Sequence, residues 1–189
     1  MVGDRGTEAP ETATVRTARL VLRPFREDDL EPLLLMHNDP QVMEFLTGGE
    51  PQSRQEVAQD LAGRFARRGF WVAVERDSGA WLGWFETSRE PDRDPGDREL
   101  GYRLRRTAWG KGYATEGSLA LIDHAFGDPE VQRVWAETMA VNLRSRRVLE
   151  KCGMQHVRTA FPEWVDPLPG SEQGEVEYEL TRADWERAR

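Results

Sequence analysis

Residues 99–117 read Glu99-Leu100-Gly101-Tyr102-Arg103-Leu104-Arg105-Arg106-Thr107-Ala108-Trp109-Gly110-Lys111-Gly112-Tyr113-Ala114-Thr115-Glu116-Gly117. Glu99 to Leu104 reads as a strand. Beyond the glycines, Leu119, Leu121, Ile122, Ala125 and Phe126 form an apolar stripe at helical spacing that ends at Gly127, before Pro129. The segment is therefore strand, glycine turn, helix. Such a turn aims unpaired backbone N–H groups at one spot, where the helix dipole also favours negative charge, and a diphosphate is the natural guest. Two common phosphate loops do not fit. Arg105 stands where a P-loop needs its first glycine, and Gly112 follows Lys111 where that loop needs Ser or Thr. Thr115 occupies the third glycine position of a dinucleotide fingerprint, which would also call for a leading strand rather than one preceded by other strands.

Upstream, Phe70 to Val74 and Trp81 to Phe85 are aromatic and β-branched runs separated by Asp77-Ser78-Gly79, so with Glu99 to Leu104 they predict an antiparallel meander. Leu20 begins a strand, and the acidic Glu27-Asp28-Asp29 opens a helix carrying Leu30, Leu33, Leu34 and Met36 that stops before Pro40. Ser53 and Glu56 have capping-box spacing ahead of Val57, Leu61 and Phe65, predicting a helix that runs to Gly69. Downstream, Val131 to Ala140 reads as a strand, and Asn142 caps a helix with Val148 and Leu149 that ends at Gly153. Val157 to Phe161 and Val176 to Leu180 read as the last strands, before a short helix capped by Thr181. The expectation is an α/β chain forming one domain over 16–189, preceded by a flexible arm over 1–15 that has almost no large apolar side chain.

Composition narrows the function. Of 189 residues, 26 are basic and 34 acidic, a net charge of −8 that disfavours nucleic acid and anionic membrane surface. No apolar run is long enough to span a bilayer and no signal-peptide pattern is evident, so a cytoplasmic location is expected. The single cysteine, Cys152, reads as a small core residue, and three scattered histidines give no metal-ligand spacing, so no metal is expected.

Three motifs in order, Glu99 to Leu104, Trp109 to Glu116, and Asn142-Leu143-Arg144-Ser145 through Gly153-Met154, resemble the GNAT superfamily of acetyl-CoA-dependent N-acetyltransferases. The opening Thr17-Ala18-Arg19-Leu20-Val21-Leu22-Arg23-Pro24, followed by Asp28-Asp29-Leu30, is similar to its ribosomal-protein N-terminal (RimJ/RimL-like) branch. The resemblance implies the GNAT fold: a central mixed, mostly antiparallel sheet with a splayed parallel strand pair and flanking helices. It implies acetyl-CoA as co-substrate, attacked directly by a primary amine in a ternary complex. Trp109 stands where the superfamily's pyrophosphate signature has Gln or Arg, which shifts weight to backbone amides and Lys111.

Acyl transfer to an amine needs a proton acceptor, support for the oxyanion and a donor to the departing thiolate. By resemblance Glu99 receives the proton, Ser145 faces the sulfur, and the Leu104 N–H meets the acetyl carbonyl. Asn142, besides its helix cap, touches the pantetheine. Arg105, Trp109, Gly110, Lys111, Gly112, Tyr113, Ala114 and Thr115 make up the remaining coenzyme set. Glu163, Trp164 and Asp166, with Glu172 and Glu175, put carboxylates around the last loop, and Glu44, Phe45 and Glu50 are placed on the opposite wall. These favour a cationic small molecule or a peptide N-terminus as acceptor. A non-catalytic CoA-binding sensor, an acyltransferase using another acyl-CoA, and a homodimer stay open.

Overall fold

The computed structural model describes residues 14–189. Most of the expected arm therefore lies outside the described residues, but its last two residues do not, and Val15 begins a strand: Val15–Arg16 (β1) pairs with Leu20–Arg23 (β2). After a 3₁₀ turn at Glu27–Asp29 come Leu30–His37 (α1), Pro40–Met43 (α2) and Arg54–Ala62 (α3). The strands Phe70–Glu75 (β3), Trp81–Ser88 (β4) and Asp97–Leu104 (β5) form the antiparallel meander. Then follow Tyr113–Phe126 (α4), Arg133–Met139 (β6), Leu143–Lys151 (α5), Gln155–Ala160 (β7), Glu175–Thr181 (β8) and Arg182–Arg187 (α6).

The eight strands form one sheet in the order β1-β2-β3-β4-β5-β6-β8-β7, antiparallel throughout except for β5 and β6. This is the GNAT architecture expected from the sequence. The Ser53–Glu56 capping box is present in both directions. Its helix ends at Gly63 rather than Gly69: the Gly63 N–H still donates to the Gln59 carbonyl, but the Phe65 N–H reaches back five residues to Asp60, and Gly69, at φ 96°, separately turns the chain into β3 so tightly that a Cβ there would lie 2.7 Å from the Thr87 carbonyl. The short α2, capped by the Asp39 carboxylate on the Gln41 N–H, has too few residues to show periodicity.

Apolar faces settle the layers. On one side Leu121, Ile122 and Phe126 of α4, with Leu149 of α5, pack on Phe85, Leu100, Val134 and Tyr178. Helix α4 lies so close to β4 that a Cβ on Gly117 would sit 2.3 Å from the Phe85 ring. On the other side Leu33, Met36, Val57 and Phe65 cover Phe70 and Trp84. Alternation along β5 therefore sends Leu100, Tyr102 and Leu104 towards α4, and Glu99, Gly101 and Arg103 towards α1–α3.

Candidate active site

The site begins as a fault in the sheet. Strand β4 pairs with β5 from Ser88↔Glu99 to Gly83↔Leu104, but β6 pairs with β5 only at Asp97, Arg98 and Glu99. Past Glu99 the two parallel strands part, since β6 follows β8 up to Met139↔Glu175. The Arg105 N–H donates to the Leu82 carbonyl at 2.9 Å, and alternation along the ladder turns the N–H groups of Arg103 and Gly101 to β4 as well. Those of Tyr102 and Leu104 consequently face the opening. The Leu104 carbonyl on that same edge accepts from the Trp109 indole Nε1 at 2.7 Å, which holds Trp109 across the end of the gap.

A cavity of about 840 Å³ fills the fork. Its far end is the glycine turn: Gly110 and Gly112 have φ of 72° and 83°, a conformation that L side chains rarely adopt, and Gly112 caps α4 without any side-chain bond. The first-turn N–H groups of α4 thus remain open beside Ala114 and Thr115, both on the cavity wall. A clamp from the chain's beginning fixes this turn. Glu116 accepts from Thr17 Oγ1 at 2.6 Å, from the Arg19 N–H at 2.8 Å and from Arg19 Nε at 2.6 Å, while Arg19 Nη1 donates to the Lys111 carbonyl at 2.8 Å.

On the facing wall, Asn142 Oδ1 accepts from the Ser145 N–H at 3.2 Å and caps α5. Ser145 Oγ lies 2.9 Å from the Tyr102 hydroxyl across the cleft. Burial holds the Tyr102 phenol well above its ordinary pKa, so it stays neutral. Arg144, Arg147 and Lys151 project from α5 along the same cavity, with Arg144 4.9 Å from the centre of the Trp109 ring.

Glu99 stands where the strands part. Burial raises its pKa to about 7, with further lifting from the nearby carboxylates of Glu86 and Glu90. The carboxylates of Glu86, Glu90 and Glu99 lie within 4.8 Å of one another. Glu86 is buried, accepts from Ser88 Oγ at 2.5 Å and is paired with Arg64 at 3.0 Å, so a guanidinium already supplies positive charge to this cluster. Across the cleft, burial and a hydrogen bond with Glu137 push Glu175 up to about 7. Two groups on this cavity are thus poised to exchange protons near neutrality.

Of the residues singled out from sequence, Glu99, Leu104, Trp109, Gly110, Gly112, Tyr113, Ala114, Thr115, Asn142 and Ser145 all line this one cavity, as do Glu44 and Phe45. Arg105 instead donates to the Trp81 carbonyl at 3.0 Å, and the exposed Lys111 side chain is not on the lining. Glu163, Trp164 and Asp166 are exposed in the loop between β7 and β8 and are not among the lining residues, whereas Glu175 is. Cys152 is buried, and burial pushes its thiol up to about 12, as befits a core residue. The sequence reading missed Tyr102, Arg103, Arg144, Arg147 and Lys151. The last three had a signal, since spacings of three and four put them on one face of a helix beginning at Asn142.

Comparison with known proteins agrees with this geometry. The family described as "Acetyltransferase (GNAT) domain" matches residues 19–155. The FsC-acetyl coenzyme A-N(2)-transacetylase of Aspergillus fumigatus is 35% identical over 186 residues, covering 92% of this chain and 78% of that protein. The uncharacterized protein YkkB of Bacillus subtilis is 30% identical over 159 residues, covering 80% and 90% respectively. Among solved structures, a GNAT-family acetyltransferase from Bacillus anthracis superimposes with a TM-score of 0.76 at 19% identity, covering 89% of this chain and 98% of that one. The aminoglycoside acetyltransferase AAC(6')-Ib in complex with coenzyme A gives 0.71 at 25% identity, covering 90% and 99%.

Proposed function

Given that the chain belongs to the GNAT acetyltransferase family and transfers an acetyl group from acetyl-CoA to an amine, we propose that its chemistry runs through Glu99 and Ser145 on opposite sides of the forked strands. The observation that carries this reading is the fork itself: pairing between β5 and β6 stops at Glu99, leaving the N–H groups of Tyr102 and Leu104 unclaimed along one edge. Acetyl-CoA supplies an activated thioester, and these N–H groups suit an extended, amide-bearing chain laid between the strands.

The α4 N-terminus with Gly110 and Gly112 receives the diphosphate, and Arg144, Arg147 and Lys151 supply the positive charge that Arg105 and Lys111 were expected to give. The Leu104 N–H meets the acetyl oxygen as it gains charge. The acceptor enters from the α1–α3 side, and Glu99 takes its proton directly or through one water. With a pKa near 7, Glu99 is partly ionised at neutral pH and still basic enough to act. Ser145 Oγ offers a hydrogen bond to the departing sulfur, and Tyr102 holds that hydroxyl in place. Amine and thioester meet in one ternary complex without an acetylated enzyme.

The acceptor is a cationic small molecule or a peptide N-terminus, a reading supported by Glu44, Glu99, Glu137 and Glu175 on the cavity wall. The Thr17 to Pro24 opening and the Asn142-to-Ser145 spacing support membership of the ribosomal-protein N-terminal branch, and the activity suits the cytoplasm. No helix among the described residues is long and apolar enough to cross a membrane. The test mixes the protein with acetyl-CoA and a panel of amines and follows thiol release. Release that depends on an amine is expected; coenzyme binding without release for any amine would leave a CoA sensor instead.

A further inference from the structure

Arg103 is a charge in the cleft that the reaction above does not use. It projects from β5 on the acceptor side, two residues from Gly101 and four from Glu99, and lines the same cavity. Its guanidinium is deep enough for burial to lower its pKa to about 10, yet it forms no ion pair among the described residues. One nitrogen alone is engaged. Nη1 donates to His37 Nε2 at 2.9 Å and to Met43 Sδ at 3.4 Å, and Trp84 lies 5.2 Å from the guanidinium carbon.

The network behind it has one consistent assignment. His37 Nδ1 lies 2.5 Å from Gln52 Oε1 and must donate to it, leaving Nε2 as the acceptor for Arg103. Burial and the neighbouring Arg103 charge lower the His37 pKa to about 4, so the ring is neutral and cannot compensate the guanidinium. Nε and Nη2 are left over. Neither has a hydrogen-bond partner among the described residues and neither is fully buried without one, so both touch solvent, and Arg103 lines the cleft. These two nitrogens form the side-on edge of a guanidinium, the pair of parallel donors that matches the two oxygens of a carboxylate.

We propose that Arg103 is an acceptor-recognition residue, binding through its free Nε and Nη2 edge a carboxylate carried by the same molecule that presents its amine at Glu99. The proposal rests on the acetyl-transfer reading above and narrows the acceptor to an amine with an anionic tail. Four strand residues span about 13 Å and two about 7 Å, so the amine and carboxylate must be separated by several bonds. The carboxylates of the wall receive the ammonium end and Arg103 the other, which makes orientation part of specificity.

The test uses ω-amino carboxylates of four to eight carbons, their ω-amino carboxamides, and the variants Arg103→Met and Arg103→Lys, the latter keeping the charge without the fork. For the wild type we expect the carboxylate to have a KM about 10- to 100-fold below that of its carboxamide at the best length, the range of a charged hydrogen-bonded pair. The ratio should fall towards one in Arg103→Met and to an intermediate value in Arg103→Lys, with acetyl-CoA affinity kept in both. Equal KM values in the wild type, or a preference that survives in Arg103→Met, would overturn the assignment. If none of these amines is acetylated, hexanoate is titrated by NMR into the CoA complex. Binding lost in Arg103→Met then upholds the carboxylate site independently of turnover, which the amine panel above tests by itself, and no binding to the wild type overturns the site.

Discussion

Glu99 makes two claims that separate chemistry from stability. As a base with a pKa of about 7, it should make kcat/KM rise with pH to a plateau just above neutrality, and Glu99→Gln should flatten that limb and lower turnover by roughly 10²-fold. The same shift acts on folding with a definite sign. Its folded pKa lies above the ordinary 4.5, so the folded state holds this proton more tightly than the unfolded chain does. Ionising it in place is unfavourable, and stability falls as pH rises from about 4.5 to about 7, the loss being complete above that. Glu99→Gln should therefore raise the melting temperature at pH 8 and leave it nearly unchanged at pH 4. Calorimetry at the two pH values checks this; a lower melting temperature at pH 8 would mean that Glu99 is held as a structural ion.

At the scale of elements, the coenzyme end depends on the packing of β1–β2 against α4. Gly112 takes a left-handed conformation open to glycine and rare for other residues, and a Cβ there would meet Arg19 Nη2 at 3.3 Å. Thr17 and Arg19 hold it through Glu116 and the Lys111 carbonyl, and the Arg19 guanidinium also lies 4.5 Å from the centre of the Tyr113 ring. Glu116→Ala touches no ligand, but it releases three hydrogen bonds that fix the turn. It should weaken acetyl-CoA about 10-fold by isothermal titration, with a stability loss of about 1–2 kcal/mol. An unchanged dissociation constant would show that the glycines and the α4 backbone set the turn unaided. Periodicity made the turn and the helix legible in the sequence, whereas the clamp was not, because its partners stand 97 and 99 residues apart.

For the whole molecule, the charge of −8 is spread widely, but only the carboxylates facing the cleft act on the acceptor at short range. Glu137→Gln and Glu175→Gln should each raise the KM of an acceptor through its ammonium end, and added salt should do the same in the wild type. Glu163→Gln and Asp166→Asn should have little effect, as their side chains lie in solvent outside the lining. Steady-state kinetics at two ionic strengths checks this, and equal effects of the two pairs would mean that the loop carboxylates act on the acceptor after all.

The sequence by itself determined the order of the longer elements, most of their caps and the glycine turn, because hydrophobic period, capping residues and positive-φ glycines act within a few residues of one another, whereas the short β1 and α2 left no such pattern. It also pointed to Glu99, Asn142 and Ser145, which the fold gathers in one cavity. Only the tertiary structure decided which charges face the cleft. Arg103 and His37 are 66 residues apart, Tyr102 and Ser145 43, and no local pattern records that they meet. That choice follows from where β6 leaves β5 to follow β8, a competition between two strand pairings that opens the cleft and assigns every side chain along it to solvent, core or substrate.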